Sequence, residues 1–100
     1  MKVYTEAVQF KADQKLIEYI EQKMEKLDHY FDRIIDAKVI LKLENSGQVR
    51  DKVVEAILNL PGHTLVCKET NKTFEASMDS ATDVLKRQLI KYKQKMRKTS

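Results

Sequence analysis

A chain of 100 residues with 42% hydrophobic and 34% charged residues is long enough for one core and has the composition of a globular protein. Nineteen Lys/Arg against fifteen Asp/Glu leave a net charge of +4, and no apolar run approaches the roughly 20 residues that span a bilayer. The start of the chain lacks a signal-peptide pattern, so a single cytosolic domain over residues 1–100, with no membrane partner, is expected.

Residues 2–10, KVYTEAVQF, are rich in β-branched and aromatic side chains and predict a strand. Asp13 is placed to cap the next element, a helix from Gln14 to about Phe31 in which Leu16, Ile20, Met24, Leu27 and Phe31 recur at helical spacing. On this helix Glu18, Glu21, Glu25 and Asp28 share one flank, and Lys15, Lys23 and Lys26 share the other. In the run AKVILKL, Ala37, Val39, Leu41 and Leu43 alternate with Lys38, Ile40 and Lys42, the pattern of a half-buried strand. Asn45, Ser46, Gly47 and Gln48 supply a turn, after which Val54, Ala56, Leu58 and Leu60 alternate with Val53, Glu55, Ile57 and Asn59 in an antiparallel return. Pro61-Gly62 makes a second turn, residues 63–69 a fourth strand, and Asn71 or Thr73 can cap a long final helix reaching Lys98. Cys67 has no partner for an intramolecular disulfide, and beside Leu65 and Val66 it is expected to be buried and inert.

The order β-α-β-β-β-α predicts an α+β fold. A right-handed crossover makes the first two strands parallel, hairpins add the next two, and both helices pack on one face of a four-stranded sheet. Leu16, Ile20, Met24, Leu27, Leu85, Leu89 and Tyr92 are expected in the core, and the opposite sheet face is expected to be largely wet.

The last helix carries the charge. Residues 72–100 hold eight Lys/Arg and three Asp/Glu, a net +5, whereas residues 1–71 have a net charge of −1. Acids Glu75, Asp79 and Asp83 lie in its first half and bases in its second, which complements the helix dipole. Seven bases in the thirteen residues 86–98, with no acid among them, exceed that need and repel one another unless a polyanion offsets them. Counting about 100° per residue from Leu85, Arg87, Lys91, Lys95 and Lys98 fall at roughly 200° to 280°, and Lys86, Lys93 and Arg97 at roughly 80° to 120°. Two basic flanks therefore border one apolar seam. The first of them could join Lys15, Lys23 and Lys26 of the earlier helix if both face the same way.

Catalysis has little to use. His63 and Cys67 lie four apart in a strand, about 13 Å, too far for a nucleophile and its base or for two ligands of one metal. His29 is a lone histidine near a helix end, Gly47 and Gly62 are each explained by a turn, and Asp83 has Arg87 as an i+4 partner. No cofactor, metal or small-molecule substrate is expected, and the chain is not expected to be an enzyme. A polyanion with repeated phosphates suits the basic flanks, and RNA offers it through backbone contacts. Phe31, Phe74 and Tyr92 lie on the apolar stripes and Phe10 ends a strand, so structured RNA suits the chain better than a single strand laid across aromatic platforms.

The element order, the segment KMEKLDHYFDRI from Lys23 to Ile34, the strand VILKLE and the segment MDSATDVLKRQLIKYKQK together resemble the short ribosome hibernation promoting factors and the related ribosome-associated inhibitor. The resemblance covers nearly the whole chain, with Asp79, Asp83, Leu85, Arg87, Gln88, Leu89, Lys91 and Lys93 as its most specific pattern. It implies a double-stranded-RNA-binding-domain-like fold and a stationary-phase protein without catalytic residues. Such a protein binds 16S rRNA of the small ribosomal subunit where mRNA and the A- and P-site tRNAs would lie. By position, the implied contacts are Lys23 and Lys26 on the first helix and Lys86, Arg87, Lys91, Lys93 and Lys95 on the second. Val84 stands where the family often has lysine, and Phe74 where tyrosine is common. A chain ending at Ser100 is expected to lack the long form's C-terminal dimerisation domain, so a second factor is a possible partner in ribosome pairing. Two rivals are a double-stranded RNA-binding domain, whose lysines would open rather than close the last helix, and a protein-interaction module using the basic helix.

Overall fold

The computed structural model describes residues 1–47 and 49–98; Gln48 of the first hairpin turn and the side chains of Ser46, Val49, Arg97 and Lys98 lie outside the described residues. Strand β1 is Lys2–Ala7, helix α1 Gln14–Glu25, and strands β2, β3 and β4 are Asp36–Ser46, Val49–Leu60 and His63–Asn71; helix α2 is Phe74–Lys98. The sheet order is β1-β2-β3-β4, with β1 parallel to β2 and the other neighbours antiparallel, as expected from the crossover and the two hairpins.

Local chemistry sets the boundaries. β1 stops three residues short of the expected Phe10 because Gln9 takes φ 61°, a left-handed turn that removes the chain from the sheet. Val8 still donates its N–H to the Leu41 carbonyl at 2.9 Å. Asp13 caps α1, its Oδ1 accepting the Leu16 N–H at 2.8 Å. The helical stripe expected to reach Phe31 instead tightens into a 3₁₀ turn, Lys26–His29, which still turns Leu27 inward, and Phe31 beyond it is also buried. Thr73 caps α2 by accepting the Ala76 N–H at 3.0 Å, whereas Asn71 accepts the neighbouring Lys72 N–H at 3.0 Å. Gly62, at φ 72°, makes the turn after Pro61 possible without a Cβ penalty.

The register explains the core. Val3, Ala37, Leu58 and Leu65 form one cross-strand row, and Val39, Ala56 and Cys67 another. Onto these rows α1 and α2 lower Ile20, Met24, Met78, Leu85 and Leu89, all inaccessible to solvent, in one cluster. Both helices thus cover one face, with α1 touching β1 and α2 packing on β3 and β4. Leu16 and Tyr92, expected in the centre, are half-buried at its margins. Phe10 closes one end by stacking on Phe74, ring centroids 5.3 Å apart.

The opposite face is wet, with one correction. Val53, on the outward side of β3, has no exposed surface. Its cross-strand partner Lys42 lies alongside and reaches Glu55 Oε1 at 3.0 Å, so the stem of the lysine helps to cover the valine. Cys67 is buried, and desolvation, with Glu69 adding to it, pushes its thiol up to about 11.

Candidate nucleic-acid interface

The helical layer meets solvent along two sides of α2. A groove between α1 and α2 is lined by Lys23, Lys26, Tyr30, Asp79, Asp83 and Lys86. Lys86 is half-buried because its Nζ sits 5.0 Å from the centre of the Tyr30 ring, a cation–π contact that fixes the ammonium at the groove wall. Lys93 continues the same side, beside His29 and Tyr30. Lys23 Nζ lies 3.1 Å from Asp79 Oδ1, which also accepts the Tyr19 hydroxyl at 2.5 Å.

That shared oxygen orders the local electrostatics. The Tyr19 hydrogen bond, then Lys23 and more distantly Lys26, hold the Asp79 carboxyl below its ordinary range against the opposing effect of desolvation. Reciprocally, the bond to Asp79, with desolvation, pushes the Tyr19 hydroxyl up to about 12. Arg87 is committed locally, its Nη2 3.7 Å from Asp83 Oδ2, as the i+4 spacing predicts.

On the far side of α2, Lys91 borders a depression with Arg87, Gln88 and Gln94, and a second with Lys95 at the β3–β4 turn. The flank that approaches α1 is therefore that of Lys86 and Lys93. Arg87, Lys91 and Lys95 lie away from α1 and do not join Lys23 and Lys26 in one groove. Lys15 lies apart from both, against Phe10, Tyr19 and Glu75. The expected single basic surface is instead two, separated by the ridge of α2, because the apolar seam must face the sheet and one flank must then fall on each side. Among the described residues Lys26, Lys86, Lys91 and Lys93 form no ion pair, so their charge is available to a polyanion.

Two aromatic contributions escaped the sequence reading. Tyr30 holds Lys86, and His63 stacks on Tyr92 with ring centroids 5.2 Å apart and planes 8° from parallel. Helical spacing placed Tyr92 on the apolar stripe but carried no signal that a histidine 29 positions earlier in the chain would meet it. Among the described residues no group of three or more His, Cys, Asp or Glu side chains could hold a metal ion. No described helix is long and apolar enough to cross a membrane.

Fold and surface define a class: a two-layer α+β domain whose helical layer carries uncommitted lysines on both sides of its last helix. The chain belongs to the Sigma 54 modulation protein / S30EA ribosomal protein family, whose sequence model matches residues 3–97. It is 42% identical over 77 residues to the ribosome hibernation promotion factor of Deinococcus radiodurans, a match covering 76% of this chain and 40% of that longer protein. It is 34% identical over 95 residues to the ribosome hibernation promoting factor of Azotobacter vinelandii, covering 95% of this chain and 85% of that one. The Escherichia coli K12 factor of the same name is 34% identical over 82 residues, 82% of each chain. In structure the fold is similar to the N-terminal domain of Thermus thermophilus Protein Y, with a TM-score of 0.80 and 27% identity over 92% of this chain and 99% of that one. A ribosomal subunit interface protein from Coxiella burnetii has the same fold, with a TM-score of 0.82 and 23% identity over 94% and 99% of the two chains.

Proposed function

We propose that this chain is a ribosome hibernation factor that binds 16S rRNA of the small subunit and silences translation by occupancy. Its place is the decoding channel, where mRNA and the A- and P-site tRNAs would lie, and its setting is the cytoplasm of stationary-phase cells. A second factor would act with it where ribosomes pair. The observation that carries this function is the set of four lysines left without an ion pair among the described residues: Lys86, Lys91 and Lys93 on the two sides of α2, and Lys26 on the 3₁₀ turn that faces the Lys86 side. Family membership and the relatives named as hibernation factors support the ribosome as the source of the phosphates. Phosphate contacts on two sides of a helix suit a cleft walled by structured RNA, since each wall presents its own backbone. Lys23, Lys26, Lys86 and Lys93 would meet one wall, and Arg87, Lys91 and Lys95 the other.

Occupancy is competitive and stoichiometric. Initiator tRNA and mRNA bound first to purified small subunits should slow association of this protein, and a high-salt wash that removes it should restore full translation. Simultaneous binding of tRNA and this protein without mutual weakening would move the site to the periphery of the subunit.

A further inference from the structure

An open cleft of about 420 Å³ lies beyond the far flank of α2, where the Pro61-Gly62 turn and the start of β4 meet the helix. Its volume falls within the roughly 300–1,000 Å³ of small-ligand clefts. Its lining mixes apolar, aromatic and cationic side chains. Leu65, Tyr92 and Met96 supply apolar lining, Lys91 and Lys95 supply cations, and the exposed imidazole of His63 forms a wall. The imidazole stacks on Tyr92, and Tyr92 in turn meets Phe31 edge to face at 5.5 Å, so the aromatic wall is braced from the core. Gln88 also lines the cleft, and its Oε1 is buried with no hydrogen-bond partner among the described residues.

We propose that this cleft seats one unpaired nucleotide of a bound RNA, with its base against His63 and the apolar lining and its phosphate on Lys91. A peptide side chain would use the apolar lining but leave the lysine unanswered. A duplex phosphate would use the lysine but leave the aromatic wall and apolar lining unused. A nucleotide turned out of its stack satisfies both, because every base has a π face and carries its phosphate within a few ångströms. The cleft so read lets the far side of α2 take a phosphate together with an unstacked base. The proposal rests on α2 being an RNA-binding helix, as argued above, and not on which ribosomal site it occupies.

The test uses the full chain without ribosomes, so its failure is separate from failure of tRNA competition on subunits. Single-stranded tetra-adenylate is titrated against NMR signals of the His63 imidazole and the Met96 methyl, with an RNA duplex and inorganic phosphate as parallel arms. The single strand should shift both signals to saturation, while duplex and phosphate should shift lysine signals only. His63→Ala should weaken tetra-adenylate binding by about fivefold, the low end of base–aromatic stacking, and His63→Phe, which keeps a ring, should hold it near the parent value. The proposal is overturned if the single strand moves only lysine signals or does not bind. It is equally overturned if His63→Phe loses as much affinity as His63→Ala.

Discussion

Asp79 sets a carboxylate among lysines on a surface read here as binding phosphate, and its partners explain why it is tolerated. It receives the Tyr19 hydroxyl and the Lys23 ammonium on the same oxygen, so its charge is spent on holding one residue of α1 upright and another in place. The folded-state pKa of Asp79 lies below its ordinary 3.8, so the contact stabilises the fold above that value and the contribution is lost as pH falls through the lower, folded-state value. Tyr19, pushed up to about 12, remains a donor throughout that range. Asp79→Asn should therefore flatten the acid limb of stability: between pH 7 and pH 2.5, the parent's urea midpoint should fall more steeply than the variant's. Identical acid limbs would mean that the contact contributes nothing to folding. Half of the Asp79 side chain is exposed, 52%, so water screens the pair and the difference is expected to be small. The same residue has a functional corollary, because Asn at 79 frees Lys23 to swing and removes one charge that repels phosphate.

At the scale of elements, α2 does the organising, and its buried stripe is the part most open to test. Leu89→Ala removes a side chain with no exposed surface from the layer between helix and sheet, and should cost about 2 to 5 kcal/mol in urea melts. A near-neutral result would contradict the packing described. The stripe was legible in the sequence because periods of 3.6 and 2 survive any tertiary context: Ile20, Met24, Leu85 and Leu89 on helices, and Val39, Leu41, Ala56 and Leu58 on strands. Turn chemistry at Pro61-Gly62 and the cap at Asp13 were equally plain. What could not be read was how two helices sharing a face turn their flanks towards one another. Angular counting gave α2 two basic flanks, but which one meets α1 depends on the packing of Tyr30 and Thr82 in the groove, contacts that no local pattern encodes. The end of α1 was misjudged for a related reason. Lys26 to His29 fit a helical period, yet the buried Leu27 is delivered by a 3₁₀ turn whose tighter pitch leaves the same residues facing inward. Tyr92 lies on the expected stripe, but its ring packs at the margin against Phe31 and His63, contacts that no helical period encodes.

Taken whole, the molecule measures 51 by 26 by 18 Å, an elongated slab. If five phosphates are neutralised on the ribosome, log K should fall with log salt at a slope of about −3.5 to −4.5. Lys93→Glu, at an exposed residue without an ion pair among the described residues, should weaken binding and bring the slope about one unit nearer zero. Filter binding to small subunits across a salt series reads both quantities, and an unchanged slope would remove Lys93 from the contact surface. One feature of this slab acts on that experiment from an unexpected direction. Among the described residues Leu89 is the last fully buried one of α2; after the half-buried Tyr92, residues 93 to 96 are all exposed, so the helix overhangs the sheet at the β3–β4 turn. An exposed helix end is the part of a fold that opens most readily while the rest stays folded. Lys91 and Lys95, one turn apart on the same flank, push that equilibrium towards opening through mutual repulsion. Added salt screens the repulsion and firms the helix end, even as it loosens attachment to phosphate. Ionic strength thus acts on the same residues with two opposite signs, so the salt slope measured in binding is the difference between detachment and the ordering of a helix end that RNA must otherwise complete.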